Sequence, residues 1–216
     1  MNRVATPLIF VIATSLSAQF NYSASAGLGL PFPSPDFDQF NATISDSGLD
    51  KIASLWLPLA FDFSVKVYPS LRVGYFRLSS SLIKNRSSDD WALAITMSGI
   101  SVQTYFTFLK RFEARFGFAP MLAKADFSQG KRKAETSPFR LSSSTKAGIQ
   151  HRSFAYYSWM GVRFHLTTFL ALEATLGHLK ATFKGNKWKS EGKETDLTGK
   201  IDLTRPLFRF GVVLGW

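Results

Sequence analysis

The chain is expected to be all-β, an eight-stranded antiparallel up-and-down transmembrane β-barrel, and three observations lead there. Apolar and polar residues alternate with period two over most of the length, which marks strands with two unlike faces. The links between these stretches are tight, then long, in turn, as in a barrel with turns on one side of a bilayer and loops on the other. The apolar face is almost free of charge for about 9–11 residues per strand, the length a tilted strand needs to cross a bilayer.

Composition is consistent with this. Hydrophobic residues make up 45% of the chain, with 21 Phe, yet mean hydropathy is only +0.01, so the apolar residues are spread rather than pooled. Past the N-terminus no run approaches the ~20 apolar residues of a spanning helix. The absence of Cys excludes disulfides, thiolate metal sites and thiol nucleophiles. A net charge of +11 calls for an anionic neighbour, either nucleic acid or a phosphate-bearing lipid surface. Arg3, the apolar stretch 4–13 and small Ser15, Ser17 and Ala18 have the form of a signal peptide over residues 1–18, cut after Ala18 or after Ser17. Export speaks against nucleic acid. Residues 19–216 then form one barrel domain with charge +10, since Arg3 is the charge removed.

The strands follow in order. Phe20, Tyr22, Ala24, Ala26, Leu28 and Leu30 alternate with small polar residues and predict a strand over 19–30. Leu57, Leu59, Phe61, Phe63, Val65 and Val67 predict 55–68; Leu71, Val73 and Tyr75 open 71–82 before Arg77 interrupts. In 91–108 the apolar parity of Trp91, Leu93, Ile95 and Met97 switches at Gly99 to Ile100, Val102, Phe106 and Phe108, which reads as a β-bulge. Phe112, Ala114, Phe116 and Phe118 predict 112–125, and Phe154 to Leu166 predict 153–166. Leu170, Leu172, Ala174 and Leu176 predict 169–183, and Phe208, Phe210, Val212, Leu214 and Trp216 the last strand, 196–216. Pro69-Ser70, 109–111 and Thr167-Thr168 are tight turns. The segments 31–54, 83–90, 126–152 and 184–195 are loops, the first a turn-rich surface segment.

A soluble barrel would show the same alternation, so polarity decides which face is outside. The second face, rich in Gly, Ala and Ser with isolated charges, is too small and mixed for a solvated exterior and suits the narrow interior of eight strands. Tyr68, Phe108, Phe112, Phe164, Phe169 and Trp216 cluster beside the short turns as an interfacial aromatic girdle. The C-terminal Phe208-x-Phe210-x-Val212-x-Leu214-x-Trp216 resembles the terminal strand signal of outer-membrane barrels, with Trp where Phe is commoner. On these residues the chain resembles the small eight-stranded outer-membrane barrels of the OmpA/OmpX type. That resemblance implies a Gram-negative outer-membrane location and the barrel-assembly machinery as a partner through the last strand, and the even strand count places both termini on the periplasmic side.

Chemistry could sit in two places. Inward-facing charges gather near the turn end: Asp62, Lys66, Arg72, Glu113, Arg115, Arg163, Glu173 and Arg209. Buried charges must pair, so Asp62, Glu113 and Glu173 are expected to be clasped by Arg115, Arg163, Arg209 and Arg72. This reads as a structural plug, with a narrow gated channel as the alternative. The other place is the loops, where Lys131-Arg132-Lys133 and Lys187-Trp188-Lys189 are expected to contact lipopolysaccharide phosphates, with Trp188 at the membrane interface. An extracellular partner could also engage loops 31–54 and 126–152. No cofactor is implied, nor is an enzyme: His151, His165 and His178 are scattered, without metal-ligand spacing or a placed nucleophile–base pair. A lipid A-modifying enzyme is the most distant alternative.

Overall fold

The structure, a computed structural model, describes residues 21–46, 51, 56–85, 89–131, 146–190, 193–194 and 199–215. Eight antiparallel strands form the wall: β1 (Tyr22–Pro31), β2 (Leu59–Tyr68), β3 (Leu71–Asn85), β4 (Asp89–Leu109), β5 (Phe112–Lys131), β6 (Lys146–His165), β7 (Leu170–Phe183) and β11 (Arg205–Leu214). Each pairs with its neighbours in sequence. The ring closes where β7 pairs with β11 and β11 with β1, so the wall has no open edge. Short β8 (Lys189–Ser190), β9 (Lys193–Glu194) and β10 (Ile201–Asp202) trim the loop end, where α1 (Asp38–Asp46) also lies.

A belt of large apolar side chains points outward. On β2, Leu59, Phe61 and Phe63 are 45–49% exposed, while Ala60, Asp62 and Ser64 between them are buried. Phe116, Met160, Leu176 and Phe210 continue the exposed belt around the wall. On β5 it runs from Phe112 to Leu122 and on β6 from Phe164 up to Phe154, roughly 25 Å at ~2.5 Å of climb per tilted residue. An apolar exterior of that height over a charged interior is the pattern of a bilayer-spanning wall. At its turn-end edge Phe106, Phe108, Phe112 and Phe164 form a chain of ring contacts, including Phe112–Phe164 at 4.9 Å. Trp216 lies outside the described residues.

Three expectations are corrected. Gly99 is not a bulge: the register of β4 against β3 and β5 runs through it unshifted, and the irregularity falls at Thr107/Leu109. From Leu93 to Gln103 the odd residues of β4 point inward. The apparent switch of face is a change in the interior, from Leu93, Ile95 and Met97 above to Ser101 and Gln103 below. The loop expected over 126–152 is shorter, because β5 and β6 stay paired from Ala125↔His151 to Gln129↔Lys146 beyond the belt, whereas the last wall strand, expected over 196–216, begins only at Arg205. Segment 31–54 holds a helix, α1, whose Phe40 and Ile44 are buried and cap the loop end with Phe37 and Trp56.

The interior therefore has two tiers. The loop-end tier is an apolar core of the kind a soluble domain has. Phe76, Tyr157 and Trp159 stack at 5.0–5.5 Å near its base. Two glycines make room for these rings, since a Cβ on Gly117 would lie 2.3 Å from the Trp159 indole and one on Gly177 2.5 Å from the Tyr157 ring. The turn-end tier is charged.

Candidate functional site

Strand register builds the charged tier. Glu113 on β5 pairs with Arg163 on β6, which pairs with Glu173 on β7, so alternate charges share one row. One row higher, Arg115 stands opposite Gly161, and its guanidinium reaches across β6 to Glu173. Arg209 comes from β11, opposite Thr175, and donates from Nε to the Thr175 hydroxyl (3.2 Å).

Glu173 is the focus. Its Oε2 accepts from Arg115 Nη1 and from Arg163 Nη2 (2.9 Å), and its Oε1 accepts from Arg209 Nη2 (2.9 Å). Glu113 Oε1 lies 3.3 Å from Arg115 Nε and 3.8 Å from Arg163 Nη1. All five residues are at least 96% buried, so the pairs are shielded from solvent and weakly screened. The Arg209 guanidinium also lies 5.1–5.9 Å from the Phe76, Tyr157 and Trp159 rings, joining the two tiers.

The other expected members take different places. Asp62 is buried but is held by Gln103 Nε2 and Ser101 Oγ (3.3 Å), and Gln103 Oε1 in turn accepts from Arg115. The expected arginine clasp on Asp62 is thus replaced by a glutamine relay. Arg72, 2% exposed, donates to the Asn21 carbonyl (3.2 Å) and lies over the Tyr105 ring (5.2 Å), and makes no ion pair with a carboxylate among the described residues. Lys66 is exposed at the turn-end mouth and does not join the cluster. Gln103 and Ser101 went unpredicted because neither carries a formal charge. Their alternation with Ile100 and Val102 was the available signal.

At the loop end, Lys187 and Lys189 are exposed, whereas the interfacial role expected of Trp188 is corrected. Trp188 is fully buried, its Nε1 donating to the Gly199 carbonyl (3.0 Å) and its ring against Phe40 and His151 (both 5.4 Å). An indole surrounded by lysines finds more apolar contact under α1 than in a headgroup layer. Lys131 ends β5, and Arg132 and Lys133 lie outside the described residues.

Sequence reasoning also missed a set of cations on the outer wall. Lys124 and Arg152 are cross-strand partners, one pleat above the paired and highly exposed Leu122 (74%) and Phe154 (64%). Lys180 stands opposite Tyr156, with its Nζ 5.6 Å from the ring centre. Like charges directly opposite are unfavourable unless an anion lies between them; Asp126 serves Lys124 (2.8 Å). The histidines remain apart. His165 Nε2 is 3.8 Å from Glu113, His151 is buried at the loop end, and His178 faces outward beside Ser158. Among the described residues no three His, Asp or Glu side chains gather as a metal site.

No family model and no curated protein matches this sequence. Among solved structures, the chain is similar to Neisserial surface protein A (NspA), with TM-score 0.53, 12% identity, and coverage of 91% of this chain and 97% of that one. It is also similar to Ail, the attachment invasion locus protein of Yersinia pestis, solved with the heparin analogue sucrose octasulfate. There the TM-score is 0.51, the identity 11%, and the coverage 91% and 99%. The fold is that of the small eight-stranded outer-membrane barrels.

Proposed function

We propose that this chain is a non-enzymatic outer-membrane surface protein whose cationic outer wall holds the phosphates of lipopolysaccharide. The observation that carries the reading is the position of Lys124, Arg152 and Lys180, directly above an apolar belt that would lie against acyl chains. A lipid whose phosphates cap its acyl chains meets matching chemistry on one strip of β5–β7. Arg and Lys are the side chains that bind phosphate by charge-assisted hydrogen bonds. Exposed Lys187 and Lys189 add charge at the loop end, and the phosphate contacts expected of Lys131, Arg132 and Lys133 from the sequence belong to the same reading.

In this reading the turns and both termini face the periplasm. The outward row Phe208, Phe210, Val212 and Leu214 on β11 supports recognition by the assembly machinery. The filled lumen supports a plug rather than a channel.

Lipopolysaccharide retained by barrel purified from outer membranes is the test. Lys124→Gln combined with Arg152→Gln and Lys180→Gln should cut retention at least about tenfold, at 1.5–3 kcal/mol per charged hydrogen bond. Retention unchanged in that variant but lost when Lys131, Arg132 and Lys133 are replaced by Gln would move the contact to the loop. Retention unchanged in both variants would refute the reading. Ail was crystallised with a sulfated heparin analogue, so a heparin column run in parallel shows whether the wall prefers sulfated sugar.

A further inference from the structure

We infer that the turn-end mouth of the barrel is a binding site for a phosphate-bearing anion. A cavity of about 530 Å³ opens there, with Arg72, Tyr105 and Glu113 deep in it and Lys66, Lys110 and Arg111 around its rim. That size suits a small phosphorylated ligand or a headgroup.

Charge accounting points to an anion. The three buried carboxylates, Asp62, Glu113 and Glu173, are matched by Arg115, Arg163 and Arg209. Arg72 is a fourth buried guanidinium, and among the described residues no carboxylate lies within ion-pair distance of it. Its Nη1 reaches a backbone carbonyl and its plane lies over Tyr105, while its buried Nε has no hydrogen-bond partner. A buried cation lacking a counter-charge carries a desolvation penalty of several kcal/mol unless something supplies one. Lys66, Lys110 and Arg111 likewise have no ion-pair partner among the described residues, so four cations converge on one opening.

Glu113 does not cancel them, because Arg115 and Arg163 already hold it. A tetrahedral phosphate suits this arrangement better than a lone carboxylate, since it offers acceptors in several directions to cations on β2, β3 and the β4–β5 turn. The ligand could be a soluble phosphate compound or the headgroup of an anionic phospholipid in the adjoining leaflet. The site lies at the opposite end from Lys124, Arg152 and Lys180, so it stands or falls independently of the lipopolysaccharide reading.

The full chain in phosphatidylcholine nanodiscs should bind inorganic pyrophosphate saturably, measured by titration calorimetry. Arg72→Gln should weaken that binding about tenfold or more, the loss of one charged hydrogen bond. The double variant Lys110→Gln with Arg111→Gln, which alters exposed turn residues and keeps the buried tier intact, should weaken it similarly. Arg77→Gln, an equal change of charge on the outward face of β3, should leave it unaltered. A second set of discs containing phosphatidylglycerol identifies the source. Competition with pyrophosphate and retention of that lipid in native mass spectra indicate a headgroup; unaltered pyrophosphate binding indicates a soluble ligand. Absence of both pyrophosphate binding and lipid retention overturns the inference, as does equal weakening by Arg77→Gln.

Discussion

Glu173 illustrates how one side chain organises an interior. Three guanidiniums from β5, β6 and β11 converge on its two oxygens, and none of the three can be lost without leaving a buried carboxylate short of donors. Removing one partner of a buried pair typically costs about 3–5 kcal/mol. Arg115→Ala should therefore lower the temperature at which the folded band shifts on a gel. Conductance in planar bilayers should not rise, because the Phe76, Tyr157 and Trp159 stack and the apolar tier still fill the lumen above. A rise would instead identify the cluster as a gate. These charges were readable as inward-facing from alternation alone. The partners of Asp62 and Arg72 were not, since Asp62 turns to Gln103 and Arg72 to Tyr105 for reasons that lie in neighbouring strands.

Among the elements, α1 was the least visible. Phe37, Phe40 and Ile44 carry a helical spacing, but the prolines before them and the acids among them favoured a turn-rich loop. The helix docks through Phe40 onto Trp188, and Trp188 packs on His151, which lies beyond the apolar belt where Arg152 succeeds Phe154 on the wall. Burial holds the His151 imidazole below the ordinary histidine range. The unfolded loop end then takes up a proton more readily than the folded one as pH falls through about 6.5, so stability present at neutral pH is lost in acid. Hydrogen exchange of the Asp38–Asp46 amides, corrected for intrinsic rates, should accelerate between pH 7.5 and 5. His151→Leu should flatten that dependence, and an unchanged slope in the variant would remove His151 from the explanation. Strand ends were misjudged for a related reason. Beyond the belt the outward face of β5 and β6 becomes polar, so Lys124–Lys131 resembles a loop although its backbone stays paired.

For the molecule as a whole, the outward direction of the apolar face underlies every assignment. Phe116, 44% exposed near the middle of the belt, tests it. Phe116→Arg should lower the stability of the barrel in lipid vesicles by roughly 2–4 kcal/mol, read from denaturant titration, because a cation at mid-bilayer is poorly solvated. A soluble barrel would accept that change on its exterior at little cost.

Period-two alternation is a property of a single strand, so strand number, the identity of the outer face and the placing of charge at the turn end could be read from residues a few positions apart. The two-tiered interior, the cap of α1 and the relay from Asp62 through Gln103 to Arg115 arise only when tilted strands pair and close into a ring. Closure sets which inward side chains share a level, and no local pattern encodes that.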